Sequence, residues 1–430
     1  MITSTAWKDK KYAVLGLARS GRATVEALLA AGADVLVWDD RAEAREPYTG
    51  RCAVADPLES DLTGYAGVVV SPGVPLNTHP IKPHADSFGV PVIGDIELFA
   101  QARADLPPHK VVGITGTNGK STTTALVHHI LKTAGVPTTM GGNIGLPILE
   151  QEPLPKGGVY VLELSSYQID LTYSLDCDVA VLLNVTPDHL DRYDGDFGKY
   201  VASKVRLFEM QSDDHNRVHD YQAWFSGCEM DEVTKEVLHD TLPSDEKRLE
   251  GQENWPALQG PHNASNAAFA RHVARILGVH ENCIEQGLRT YTGLPHRMER
   301  VAEISGVTYV NDSKGTNTAA SAPALAAFDN IHWILGGLAK EPGLGECEAE
   351  LPHVKAAYTI GKAGPDFAAL LEGRVPVEQC ETLDRAVTSA AAKAESGDTV
   401  LLSPACASFD QYADFEKRGE HFRALVEGLK

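Results

Sequence analysis

The stretch Val111-Val112-Gly113-Ile114-Thr115-Gly116-Thr117-Asn118-Gly119-Lys120-Ser121-Thr122-Thr123-Thr124 constrains this chain more than any other. Apolar residues lead into glycines, a lysine and then hydroxyls, and Ala125-Leu126-Val127 with Ile130-Leu131 continues at helical spacing. The pattern predicts a strand, a loop and a helix. In such a loop glycines let backbone N–H groups close around phosphate oxygens, the helix start adds the positive end of its dipole, and the lysine supplies a mobile charge. Ser121 would hold Mg²⁺ through its hydroxyl. The position five before Gly119 is Ile114 rather than glycine, so the match to the general phosphate-loop pattern is partial. A plain glycine-rich turn is the alternative, but a turn alone does not require Gly-Lys-Ser at a helix start.

At 430 residues the chain exceeds one comfortable core, which predicts two to four domains. A net charge of −21 argues against a sequence-independent grip on nucleic acid or an anionic membrane, so a phosphate site must be a local pocket. The seven cysteines are odd in number and scattered without a C-x-x-C pair, so neither a disulfide framework nor a zinc site is indicated, and a reducing cytoplasm fits best. No apolar run approaches membrane-spanning length, so a cytoplasmic protein without membrane insertion is expected, and a monomer.

Tyr12–Leu17 reads as a buried strand, followed by Ala18-Arg19-Ser20-Gly21, an amphipathic helix, and a second strand, Val35–Trp38, that ends on Asp39-Asp40-Arg41. This unit is similar to a dinucleotide-binding start, with an acidic residue placed to meet a ribose or base. The glycines follow Gly16-x-x-x-x-Gly21 rather than G-x-G-x-x-G, so they serve equally as close-packing positions. Strands over Gly67–Val70 and Val90–Ile93 complete a parallel sheet whose ligand loops lie at strand C-termini. Gln101–Lys110, with Pro107-Pro108, is expected to be a linker. In the central region Glu163 ends the apolar strand Val159–Leu162, where a nucleotide-binding sheet needs a metal or water partner. Val179–Val185 is a further strand, followed by His189, which is open to reading as a metal ligand, a base or a loop histidine. Lys204 lies beside the apolar face of a helix, where its stem would pack while its amine stays wet. Asn263 and Asn266, three apart near a helix start, suit contacts to a base or phosphate, or simple capping. Strands over Val307–Val310, Ile334–Leu335 and Thr399–Leu402 end in Asp, Lys and Ser, which implies a second α/β sheet with its own anion site.

Taken together, GITGTNGKSTT, GGNIG, ELSSYQ, NVTPDHLDRY, GPHNASN, GLPHRME, NDSKGTN, GGLAK and LLSPACASFDQY occur in the order found in the Mur ligases, and the chain resembles that family over nearly its whole length. Within it, LLSPACASFDQY and the N-terminal GLARSG, SPGV and GDIELF resemble the branch that adds D-glutamate. The resemblance implies an α/β chain of three domains: a Rossmann-like precursor-binding domain over 1–98, a central P-loop ATPase-like domain over 99–294, and a Rossmann-like amino-acid-binding domain over 295–430. It implies ATP phosphates on Gly116, Thr117, Asn118, Gly119, Lys120, Ser121 and Thr122, with nucleotide contacts from Asn266, Arg297 and Asp312. Two Mg²⁺ sites would draw on Ser121, Glu163 and His189, with Lys204 carried as a carbamate, so that Lys120, Glu163, His189 and Lys204 form the catalytic group. The UDP precursor would meet Arg19, Ser20, Asp39, Asp40, Arg41, Gly73 and Asn143. D-Glutamate would meet Lys314, Thr316, Lys340, Ser408, Phe409 and Phe415.

The implied reaction is ATP-dependent ligation of D-glutamate to UDP-N-acetylmuramoyl-L-alanine through an acyl phosphate, with the third domain closing on the others to align reactants and exclude water. GGLAK lacks the acidic residue usual in that turn of the family. The stretch from Gln211 to Asn254 is acidic and poor in β-branched residues, and no strand is expected there although the family has one. Rival readings are a folate-type or different Mur ligase, a nucleotide-switch regulator and a nicotinamide dehydrogenase.

Overall fold

The structure, a computed structural model, describes residues 1–188, 190–219, 251–340 and 342–429. The chain divides into two compact units, one of Met1–Lys247 with Ala268–Gly287 and the other of Arg248–Ala267 with Leu288–Lys430. His189, most of the acidic stretch after Gln211, and the residue following Lys340 lie outside the described residues.

Two sheets build the first unit. One comprises β1 (Lys11–Leu15), β2 (Asp34–Trp38), β3 (Ala53–Val54), β4 (Tyr65–Val70) and β5 (Val92–Ile93), parallel in the order β3-β2-β1-β4-β5. The other comprises β6 (His109–Thr115), β7 (Thr138–Gly142), β8 (Gly158–Glu163), β9 (Val179–Leu182) and β10 (Asn216–His219), parallel in the order β10-β9-β6-β8-β7. Central strands such as β8 and β9 are buried along their whole length, the burial expected where helices cover both faces of a parallel sheet. One continuous apolar core joins the two sheets, running from Val14 and Val37 through Phe99 and Tyr160 to Leu182 and Phe208.

The helix α1 (Arg19–Ala30) follows β1 through a turn that starts at Gly16, and Gly21 lies in the helix's first turn. A Cβ on Gly21 would lie 1.9 Å from the Gly16 carbonyl oxygen, and Gly16 itself has φ +89°. The spacing of these glycines is therefore a packing requirement. The Ser71 hydroxyl, beyond β4, closes the turn by donating to the same Gly16 carbonyl at 2.9 Å.

Two expectations need correction. The residues taken as a linker from Gln101 are helical: α2 spans Asp95–Ala102 and a 3-10 turn follows over Arg103–Asp105, leaving only Leu106–Pro108 before β6. Ile96, Phe99 and Ala102 recur at helical spacing and are buried, and that apolar face overrides the polar look of the segment. The start of the acidic stretch also forms a strand, β10, which pairs with β9 from Asn216↔Val179 to His219↔Leu182. Only four residues are needed at an edge, and Val218 and His219 are buried by it, so the scarcity of β-branched residues does not prevent pairing.

The second unit holds a sheet of β11 (Glu299–Ile304), β12 (Val307–Asn311), β13 (Ile331–Gly336), β14 (Val354–Ile360), β15 (Val377–Glu381) and β16 (Thr399–Leu402) in the order β11-β12-β16-β13-β14-β15. β11 runs antiparallel to β12 and the other pairings are parallel. Among the described residues no helix is long and apolar enough to cross a membrane, and the described cysteines are free thiols.

Replacing Gly21 with Ala is expected to cost more than the ~1–3 kcal/mol of an ordinary overpacked core site, because the obstacle is a backbone carbonyl rather than a movable side chain. Chemical denaturation of Gly21→Ala beside Ser71→Ala checks this: the glycine variant should lose far more stability than the loss of one hydroxyl bond.

Candidate active site

Strand β6 ends at Thr115 and the helix α3 (Lys120–Thr133) begins at Lys120, leaving a four-residue loop. Gly119 occupies the helix cap with φ +82° and Gly116 has φ +151°, conformations that L side chains rarely adopt. A Cβ on Gly116 would sit 3.1 Å from Leu183 Cβ and 3.3 Å from the Asn184 backbone. The residues after β9 brace the loop: Thr117 N donates to Asn184 O at 2.9 Å, and Asn118 N donates to Asn184 Oδ1 at 2.8 Å. Asn184 Nδ2 returns a bond to Asn118 O at 3.1 Å, and Thr186 N donates to Thr117 Oγ1 at 3.0 Å.

Two lysines converge on this loop. Lys120 Nζ donates to the carbonyls of Gly116 and Thr117 at 2.8 and 2.7 Å. Lys204, on the helix α4 (Phe197–Glu209), donates to the same Gly116 carbonyl at 2.9 Å and lies 4.6 Å from the Tyr200 ring centre. Lys204 is 1% exposed, so its amine is not wet as the amphipathic pattern suggested. Burial, reinforced by the charge of Lys120, pulls its pKa down to about 7. A large fraction is then the neutral, nucleophilic amine near neutral pH. The Tyr200 hydroxyl is 3.2 Å from Thr117 Oγ1, which makes this tyrosine a part of the site that sequence reasoning passed over.

Glu163 closes β8 beside Ile114 of β6 and is 2% exposed. Asn143, in the glycine turn after β7, donates from Nδ2 to Glu163 Oε1 at 2.8 Å. The other oxygen, Oε2, is buried without a hydrogen-bond partner, which leaves an acceptor open to a cation or donor. Ser121, in the first turn of α3, is also buried. Among the described residues no group of three or more His, Cys, Asp or Glu gathers to hold a metal, and His189 lies outside them.

At the edge of the first sheet, Arg19 and Ser20 begin α1, and Arg19 Nη2 donates to Gly145 O at 3.0 Å. Asp40, Arg41 and Gly73 are exposed. Asp39 departs from the expectation that it faces a ribose or base. It accepts from Leu17 N at 2.8 Å, Arg41 N at 3.1 Å, Arg41 Nε at 3.0 Å and Arg41 Nη2 at 3.2 Å. A carboxylate offers about four acceptor sites, so these bonds saturate it. The Arg41 guanidinium holds its pKa down at about 2. Asp39 thus fixes the β1–α1 turn and orients Arg41.

In the second unit, Asn263 and Asn266 lie in the first turns of α5 (Pro261–Ile276), both buried, with Asn266 Nδ2 donating to Asn263 Oδ1 at 3.2 Å. Asp312, just past β12, accepts from Ser403 Oγ at 2.7 Å and from Met298 N, the residue after Arg297, at 3.1 Å. Burial pushes its pKa up to about 7 against those bonds and the Arg297 charge. Lys314 is exposed, with Nζ 3.9 Å from the centre of the Phe415 ring at the start of α6 (Phe415–Glu427). Thr316 N donates to Lys314 O at 2.8 Å. The turn of Lys340 and the turn of Ser408 and Phe409 are paired through mutual Leu338–Ala407 backbone bonds of 2.8 and 3.0 Å. Lys340 and Phe409 are exposed and Ser408 is buried.

Arg418, on α6, links these turns and is also absent from the sequence reading. It is 1% exposed, donates to Ser313 Oγ, Ser313 O and Cys406 O at 2.9–3.0 Å, and keeps Nη1 buried without a partner. An arginine in a polar helix reads as solvated, so no one-dimensional signal reveals it.

The raised pKa of Asp312 has a thermodynamic sign. The folded state holds this proton more tightly than the unfolded chain, so the contribution to stability is complete below pH 3.8 and lost as pH rises through about 7. Asp312→Asn should therefore raise the melting temperature by about 2 °C or more at pH 8, by less at pH 5 and little below pH 3.8, read by calorimetry at each value.

Comparisons with known proteins place the chain in a family. The Mur ligase middle domain matches residues 114–223, and the Mur ligase glutamate ligase domain matches 296–406. The UDP-N-acetylmuramoylalanine–D-glutamate ligase of Novosphingobium aromaticivorans is 63% identical over 441 residues, covering 100% of this chain and 97% of that protein. The enzyme of the same name from Sphingopyxis alaskensis is 57% identical over 439 residues, with 100% of both chains covered. The crystal structure of a UDP-N-acetylmuramate-alanine ligase from Thermotoga maritima shares the fold at TM-score 0.59 and 17% identity, covering 98% of this chain and 100% of that one. With three sheets, a braced phosphate loop and full-length relatives at this identity, the chain belongs to the Mur ligases, in the family of the UDP-N-acetylmuramoylalanine–D-glutamate ligases.

Proposed function

We propose that the protein joins D-glutamate to UDP-N-acetylmuramoyl-L-alanine at the expense of ATP, a cytoplasmic step in the assembly of peptidoglycan precursors. The observation that carries the reading is the loop at Gly116–Lys120, with two lysines on one carbonyl and an unpaired Glu163 oxygen on the neighbouring strand, in a chain matched end to end by D-glutamate ligases. The proposed division of labour assigns the precursor to 1–98, ATP to 99–294 and the amino acid to 295–430.

In this reading, the loop N–H groups from Gly116 to Thr122 and the Lys120 ammonium receive the ATP phosphates, and Asn266, Arg297 and Asp312 receive the nucleoside. Mg²⁺ would be held by Ser121, Glu163, His189 and a carbamylated Lys204, where it offsets the negative charge gathered between phosphates and carboxylate. The unpartnered Glu163 oxygen and the near-neutral Lys204 amine fit such a group. Arg19, Ser20, Asp40, Arg41 and Gly73 meet the UDP end, with Asp39 acting through Arg41 and Asn143 meeting the muramoyl portion. The precursor's carboxylate oxygen bonds to the γ-phosphorus as ADP leaves. The amine of D-glutamate then attacks the acyl carbon, a proton leaves the nitrogen and inorganic phosphate departs. Lys314, Thr316, Lys340, Ser408, Phe409 and Phe415 are assigned to hold that amino acid, and exclusion of water around them protects the acyl phosphate.

Phosphate release from ATP with UDP-N-acetylmuramoyl-L-alanine should require D-glutamate and fail with L-glutamate or no amino acid. Release independent of the amino acid would point to a hydrolase or switch instead. Labelling with ¹³C-bicarbonate should give a carbamate resonance by NMR that disappears in Lys204→Ala. That variant should also lose about 100-fold or more in kcat, the scale of losing a group that organises charge at a phosphoryl-transfer site.

A further inference from the structure

We infer that Arg192 is a positioning residue that holds the uridine-end loop of the first sheet at a fixed distance from the phosphate loop of the second. The inference rests on the ligase reading.

Arg192 lies in the 3-10 turn Leu190–Tyr193, in the same connection beyond β9 whose Asn184 and Thr186 brace the phosphate loop. Its planar fork crosses to the other sheet: Nη1 donates to Val74 O at 3.1 Å and Nη2 to Gly73 O at 3.2 Å, in the turn after β4. The same guanidinium sits 4.6 Å from the ring centre of Tyr167, in the short helix Ser166–Asp170 that follows Glu163. A second strut runs beside it, with Asn77 Nδ2 donating to Asp191 O at 2.9 Å. Tyr193 anchors the turn from below, its hydroxyl donating to Asp170 Oδ2 at 2.9 Å and lying 3.2 Å from Ser203 Oγ, one residue from Lys204.

One side chain therefore touches the strand-end turns of β4 and β8 while standing on the connection after β9. Those turns sit at the C-terminal edges of two parallel sheets, where ligands bind in this architecture. A substrate whose nucleotide end lies on one edge and whose carboxylate reaches the other must find the two at a set spacing, and small misplacements are costly at a reacting carboxylate. Arginine suits the task because its planar fork donates from two separate nitrogens in a fixed geometry while its flat face stacks on an aromatic ring, whereas lysine offers one compact ammonium on a flexible stem. Gly73 is held by its carbonyl, which leaves the exposed turn free to face a ligand.

The test compares Arg192→Ala, Arg192→Lys and Asn77→Ala with the unaltered protein. Three quantities are measured: the KM for UDP-N-acetylmuramoyl-L-alanine, the KM for ATP, and the Kd of UDP alone, which spans only the first sheet's edge. Both arginine variants should raise the precursor KM about 10-fold, the scale of losing charged hydrogen bonds, with ATP KM and UDP Kd within about twofold of the unaltered protein. Asn77→Ala should move the precursor KM in the same direction by less. An unchanged precursor KM in Arg192→Ala overturns the inference, as does a parallel loss of UDP or ATP binding, which would mark a local or global structural role. Full rescue by lysine would overturn the argument from the fork. Absence of D-glutamate-dependent activity in the unaltered protein would instead count against the ligase reading.

Discussion

The site depends on a single peptide oxygen. The Gly116 carbonyl accepts from both Lys120 and Lys204, at 2.8 and 2.9 Å, and so brings two lysine side chains to one peptide oxygen. Burial, with the charge of Lys120 added to it, pulls the Lys204 pKa down to about 7. The residue that carries this carbonyl takes φ +151° against the backbone of Asn184, where a side chain would press on Leu183. Backbone conformation, charge spacing and amine chemistry are thus one problem solved at one residue.

Around that point, the fold works by bringing strand ends together. Glu163 at the end of β8, the braced residues after β9 and the loop after β6 share one edge because the three strands pair in parallel and in register. The connections then tie across to the neighbouring sheet: Glu97 accepts from Tyr173 N at 2.7 Å and from Ser174 N at 2.9 Å, and Arg19 reaches Gly145. In the second unit the same logic appears with a different anchor, the buried Arg418 collecting the turns of Ser313 and Cys406.

Much of this was legible in one dimension. The strand–loop–helix at Val111–Thr124 and the carboxylate ending β8 follow from apolar runs meeting glycine or charge, and these runs are long enough to be unambiguous. What the sequence concealed shares a physical cause, burial of polar groups by residues distant in the chain. Lys204 and Arg418 sit on amphipathic helices and look like snorkelling cations, yet each donates to carbonyls from far along the chain. The strand at Asn216–His219 is called up by the free edge of β9 rather than by its own composition. Gly16 and Gly21 were open to two readings, and a steric distance of 1.9 Å decides for packing.

Asp39 shows how the N-terminal sheet departs from a dinucleotide binder. In the dinucleotide fold the acid that ends the second strand must keep an acceptor free for a sugar hydroxyl. Here all its acceptor sites are spent on Leu17 and Arg41. The sheet edge consequently presents a cation where a dehydrogenase presents an anion. The acid that a dinucleotide site would offer to a sugar is here a fixed part of the turn, since the carboxylate that holds Leu17 N also holds Arg41, and freeing it for a ligand would loosen the first turn of the chain's leading βαβ unit.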